Sequence, residues 1–245
     1  MLLWKSSKRY IERRINQIKR KSKRKKLIVN IPDNYWAILD QYATIVSDHD
    51  YILEFSTRSG MSRRGLNAYA GASSGKQSII AATPEWAVQL IACNNIETDN
   101  AFRITLGHEL THKDPEVWLK GRLLDCKLLL HLRELHADFG AAKKMASCNR
   151  NVLIHACEYK KRFKEMVCRK KDRDGLFHPS WTRRIEYATH YDFDDRLIKK
   201  VAADLRYSED NPNHKKLIEQ IIEEYKDKFV ILQPPPTPIT EGDTD

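Results

Sequence analysis

Hydrophobic and polar positions change rhythm several times along the chain. Trp4, Ile11, Ile15 and Ile18 recur at intervals of seven, four and three, which places them on one face of a helix. The run Lys19–Lys26 drops that apolar face and is expected to be solvated. A core-facing segment begins near Leu27 with LIVNIP. Apolar runs at Tyr51–Phe55 and Gln77–Ala82 predict two strands, separated by a polar, Gly-containing stretch. Pro84 suits a first helical turn and predicts a helix to about Cys93. Asp99 or Asn100 is the expected cap of the next helix, which carries AFRITLGHELTHK and stops before Pro115. A further helix is predicted over Trp118–Ser147, with a break near Gly121. Helical spacing returns at Val152–Lys170, Ser180–His190, Asp194–Leu205 and His214–Phe229. From Gln233 onward the chain is Pro-rich and acidic and cannot bury a core. The pattern predicts an α+β fold, mostly helical, with a small sheet early. Residues 1–26 read as a basic arm, amphipathic or disordered, residues 27–230 as one domain, and residues 231–245 as a disordered tail.

Charge changes this picture at one place. The chain of 245 residues carries a net charge of +10, and residues 1–26 hold twelve Lys or Arg against the single acid Glu12. That segment alone accounts for +11, so the rest is close to neutral. A basic helix with one apolar face suits an anionic membrane surface, and its Lys/Arg run equally suits nucleic acid. A solvated tail is the plainer alternative. No apolar run approaches the ~20 residues of a membrane helix, so no transmembrane segment is expected. Leu2, Leu3 and Trp4 precede the positive charges, the wrong order for a secretory signal. Cys93, Cys126, Cys148, Cys157 and Cys168 form no CxxC pair. Reduced thiols in a cytoplasmic protein, with peripheral membrane attachment as an option, are the simplest expectation.

The candidate chemistry lies in His108-Glu109-Leu110-Thr111-His112. Residues four apart share a helix face, so two imidazoles at this spacing are able to hold one zinc ion. Glu109, one step round the helix, then reaches a water at the metal and acts as catalytic base. Phe102, Ile104 and Leu106 carry the helix into a core, where buried polar groups need partners. Catalytic zinc takes three protein ligands as a rule. A third histidine at the metzincin offset is missing from KDPEVWLKG. Glu134 and Asp138, four apart in RELHADFGAA, supply a better set. Glu134 is the expected third ligand, with His131 and His136 as rivals. Asp138 is placed to accept the second ring proton of a ligating histidine. Ala137, Gly140, Ala141 and Ala142 suit close helix packing beside the site.

With these residues in place, the chain resembles the HtpX-like and prenyl-protease-type zinc endopeptidases, a branch of the gluzincins. Asn67-Ala68-Tyr69-Ala70 resembles that family's Asn-Ala-Phe-Ala, just before an edge strand, here Gln77–Ala82. HELTH, then Glu134 and Asp138, then His178-Pro179-Ser180-Trp181-Thr182-Arg183-Arg184-Ile185 follow in family order. The likeness spans roughly residues 60–200. It implies a zincin-like metallopeptidase fold, one zinc per chain and a protein or peptide substrate. It also implies strand addition of that substrate, with contacts at Asn67, Ala68, Tyr69, Ile79 and Ile80. Arg184 stands at the family's arginine position, and His178 is the expected oxyanion donor, with a helix-start role as its alternative. Many members carry membrane helices, and the gap from His112 to Glu134 is closer to that of thermolysin-like and repressor-cleaving gluzincins. Two readings of function follow. One is a zinc-dependent endopeptidase. The other is a regulatory or binding protein on a zincin fold, repressor-cleaving or non-catalytic, that uses its basic arm.

Overall fold

The mostly apolar run Ile52–Phe55 and the small and β-branched residues of Ser78–Ala82 do form strands, and they pair with each other in a sheet of four. A computed structural model of the chain describes residues 1–3, 5–26, 28, 30–56, 65–72, 78–113, 126–169 and 171–234. The strands are β1 (Leu2–Leu3), β2 (Ile52–Phe55), β3 (Ala68–Ala72) and β4 (Ser78–Ala82), in spatial order β1-β2-β4-β3. β1 and β2, and β2 and β4, run parallel, whereas β3 closes one edge antiparallel to β4, with Ala70 opposite Ile80. The rest is mostly helical, so the class is α+β.

β3 is a correction to the sequence reading in two ways. The segment Ala68–Ala72 is a strand, and it, rather than Gln77–Ala82, is the edge. β4 lies between two neighbours, and Ile79 and Ile80 are 2% and 0% exposed. Neither is able to touch a substrate. A short run of small and apolar residues is what a strand covered on both faces needs, so β4's composition marks a central strand. Gln77 lies outside the described residues.

The basic segment is also revised. Lys5–Lys25 forms the 21-residue helix α1, and its apolar face docks on the body, with Ile11 and Ile15 buried. It packs against α3 (Pro84–Cys93), whose buried Glu85 carboxylate accepts hydrogen bonds from Tyr10 Oη at 2.6 Å and Arg14 Nη2 at 3.2 Å. Gln89 donates to the same carboxylate at 3.0 Å. A boundary at residue 27 therefore does not separate α1 from the domain: burial of its isoleucines and satisfaction of a buried carboxylate fasten it there. Trp4, Leu27 and Val29 lie outside the described residues, and Ile28 is 98% exposed. The helix α2 (Ala37–Ser47), which the sequence reading did not predict, buries Leu39, Tyr42 and Val46.

α4 (Ile96–Thr111) starts earlier than Asp99. Asn95 is its cap, accepting from the Thr98 N–H at 2.9 Å. α5 (Lys127–Ala146) is the described part of the helix predicted over Trp118–Ser147, and residues 114–125 lie outside the described residues. α6 (Arg150–Met166), α7 (Trp181–His190), α8 (Asp195–Asp204) and α9 (Pro212–Tyr225) follow within a few residues of the predicted spans. The domain runs past residue 231. Leu232 is buried, and the Gln233 N–H donates to the Cys148 carbonyl at 2.8 Å. The acidic segment 235–245 lies outside the described residues. Among the described residues, no helix is long and apolar enough to cross a membrane.

Two glycines bring α4 and α5 together. A Cβ on Gly140 would sit 2.5 Å from Thr111 Cγ2, and one on Gly107 would sit 3.0 Å from the Ala141 Cα. Only a bare backbone fits at either point. The contact lies within one helical turn of the histidines of α4 and about two turns from Glu134 on α5.

Candidate metal centre

Helical spacing brings the two imidazoles of α4 together, with His108 Nε2 and His112 Nε2 3.0 Å apart. The close approach of α5 then delivers Glu134. Its Oε2 lies 3.5 Å from His108 Nε2, and its Oε1 lies 3.4 Å from His112 Nε2. The three ligand atoms all lie within 4.8 Å of one another, a group able to hold a metal ion. Donors bound at ~2.0–2.1 Å around a tetrahedral ion sit about 3.3 Å from each other. The observed separations of 3.0–3.5 Å fit that figure. The rivals are elsewhere. His131 is buried with Nε2 3.1 Å from the Gly175 carbonyl, and His136 packs beside Phe193 and Tyr225.

A second layer of charge surrounds these ligands. Asp138, one turn beyond Glu134, accepts from His108 Nδ1 at 2.8 Å. With that proton on Nδ1, the lone pair of Nε2 faces the site. Arg184 of α7, only 5% exposed, donates from Nη1 to both Asp138 oxygens at 3.1 and 3.0 Å, and from Nη2 to Glu134 Oε2 at 2.8 Å. Its guanidinium stacks on Trp181, 4.6 Å from the ring centre. Burial pushes the Asp138 carboxyl up, but Arg184 and His108 outweigh it and hold it below the usual range. Burial likewise opposes charge on Glu134. Hydrogen bonds from His108, His112 and His178 prevail and keep it well below its ordinary value. Burial works against a proton on His108, yet its bonds to Asp138 and Glu134 raise it to about 9.

Glu109 faces the sheet. Its Oε2 accepts the Ala70 N–H of β3 at 3.0 Å, so the outer edge of β3 is tied to the helix that carries the histidines. A cleft of about 820 Å³ opens here, lined by His108, Glu109, His112 and Glu134 together with Asn67, Ala68 and Tyr69. Those three expected contacts are brought to the site, and Ile79 and Ile80 are not. His178 also lines the cleft, 63% exposed, with Nδ1 2.8 Å from Glu134 Oε2. Its neighbour Ser180 caps α7, accepting from the Arg183 N–H at 3.3 Å, so the His-Pro-Ser segment both starts a helix and presents a side chain to the cleft.

Lys160, Phe163 and Trp181 were not singled out from the sequence, and all three line the cleft. Lys160 lies 4.9 Å from the Trp181 ring centre, and burial, helped by the charge of Arg184, pushes its ammonium down. The spacing Lys160, Phe163, Lys164 marks one face of α6, a signal legible in the sequence. The cavity that face lines is set by tertiary packing. The five cysteines are free thiols, and burial raises the Cys157 thiol, which lies behind the site. Comparisons of the chain with protein-family models, with curated proteins and with solved structures find no match.

Proposed function

We propose that this chain is a zinc-dependent endopeptidase on a zincin-like fold, with His108, His112 and Glu134 as the metal ligands. The observation that carries the reading is the convergence of two imidazoles and one carboxylate at tetrahedral spacing, beside an intact Glu109, in an open cleft. Zinc suits a two-nitrogen, one-oxygen set, and when bound it supplies a Lewis acid and lowers the pKa of a water toward ~7.

The chain's own residues supply the remainder. Asp138 holds the proton on His108 Nδ1 and so keeps Nε2 a donor of electrons to the ion. Arg184 orients both carboxylates and, with His108, keeps Asp138 ionised. Glu109 uses one oxygen to grip the Ala70 amide, which leaves Oε1 to take a proton from the attacking water and pass it to the leaving amine. Apart from the Ala70 N–H that Glu109 holds, the outer edge of β3 is the proposed seat of an extended peptide, with Tyr69 and Asn67 lining the cleft beside it. His178 lines the same cleft with its Nδ1 2.8 Å from Glu134 Oε2, and its other ring nitrogen is the proposed donor to the oxyanion.

The test is Glu109→Gln, assayed on a peptide library with zinc and with chelator. Hydrolysis by the parent chain is expected to stop with chelator, and the variant is expected to lose about 10³-fold or more of its rate while keeping its zinc. Full activity in the variant, or chelator-resistant cleavage by the parent, would remove this mechanism.

A further inference from the structure

The outward face of α1 is not absorbed by the peptidase reading. Of the twelve Lys and Arg in residues 1–26, eleven are exposed, and the twelfth, Arg14, is paired with Glu85. Lys5, Arg9, Arg13, Arg20 and Arg24 follow one another at helical intervals of four, four, seven and four, so they form a single row facing solvent. Among the described residues, these five make no hydrogen bond or ion pair with the protein. Acid nearby is sparse: Glu12 is half-buried on the same helix, and Asp33 approaches only Lys19, at 4.0 Å. Lys8 lies over the Trp36 ring, 5.9 Å from its centre.

Docking of α1 decides between the two partners that such a segment suits. A helix that lies in a membrane surface inserts an apolar face among the lipids. Here that face is covered by the protein itself, with Ile11 and Ile15 buried and Tyr10 and Arg14 fastened to Glu85. What remains outside is a row of cations on a docked helix. From Lys5 to Arg24 it extends roughly 30 Å at ~1.5 Å per residue. Duplex nucleic acid presents a negative charge about every 1.7 Å along its axis. A fixed row of cations meets that array without first paying the entropy of ordering a flexible tail.

We propose that α1 is a binding surface for the phosphodiester backbone of duplex nucleic acid, without sequence readout, and that it tethers the domain there. Five phosphate contacts predict a slope of about −4.5 for log K against log salt. The dissociation constant of the full chain for a fluorescein-labelled 20-base-pair duplex, read by anisotropy, is then expected to rise about 500-fold between 50 and 200 mM salt. DNA and RNA duplexes form two arms, and vesicles with 30% phosphatidylserine a third. Changing Lys5, Arg9, Arg13, Arg20 and Arg24 together to Gln is expected to weaken duplex binding at least 100-fold at 50 mM salt. The variant with the four arginines changed to Lys should keep binding within fivefold. A slope shallower than −2 in the unaltered chain, equal binding by the Gln variant, or binding to vesicles but to neither duplex would overturn the proposal. The salt slope decides even if the Gln variant fails to fold.

Discussion

Arg184→Met removes one charge from a buried ion network, and the structure sets its cost. The guanidinium donates three charge-assisted hydrogen bonds, at 2.8, 3.0 and 3.1 Å, to two carboxylates. Its side chain and that of Asp138 are 5% and 7% exposed, so water cannot replace what is lost. Three such bonds at ~1.5–3 kcal/mol each do not simply add, because they share partners. Removing one member of a buried ion pair costs about 3–5 kcal/mol, chiefly the penalty of a carboxylate left buried and underpaired. Met keeps most of the side-chain volume over Trp181, so cavity formation adds little. The expected loss is therefore about 3–4 kcal/mol. Arg103, with equally short bonds to Asp99 at 2.9 and 3.0 Å but 33% exposed, is the comparison, and Arg103→Met is expected to cost under about 1 kcal/mol. Urea unfolding in chelator at pH 7, followed by far-UV circular dichroism, measures both. Equal losses in the two variants, or a loss below about 1 kcal/mol for Arg184→Met, would refute the argument that this buried guanidinium is the main charge partner of Asp138.

Glu134→Ala is expected to lower zinc retained after dialysis about tenfold or more, whereas His131→Ala and His136→Ala should leave it unchanged; a loss in either histidine variant instead would reassign the third ligand. In chelator, stability should fall as pH rises from 7 toward 9.5. His108 is raised to about 9 in the fold, so its contribution is complete below its unfolded value near 6.5 and is lost as pH passes through 9. Zinc uptake should have the opposite sign, improving as that proton leaves, and a thermal-melt series with and without zinc reads both. Ile15→Ala is expected to cost about 2–4 kcal/mol in the same urea assay, because Ile15 is buried on the face by which α1 docks; a negligible cost would return α1 to the status of a free arm.

Part of this protein is written in local sequence. The pair His108 and His112 needs nothing beyond the pitch of a helix to share a face, and Asp138 follows Glu134 by the same rule. Ser180 as a cap and Pro84 in a first turn are equally local, since each depends on groups within three or four residues. Small residues along α5 announce a close neighbour without naming it. Tertiary structure names it as α4, through Gly107 and Gly140. Only that contact selects Glu134 over His131 and His136, which differ from it by a few residues on one helix and so point to other neighbours. The edge of the sheet was misplaced for a similar reason: whether a strand is central or outermost depends on partners distant in sequence, and the short Ala-Tyr-Ala-Gly-Ala run has too little apolar pattern to reveal its pairing. The same limit hid the fate of α1. Its periodicity predicts an apolar face, but the carboxylate of Glu85 that receives Tyr10 and Arg14 lies more than seventy residues away, and only the folded chain brings the two together.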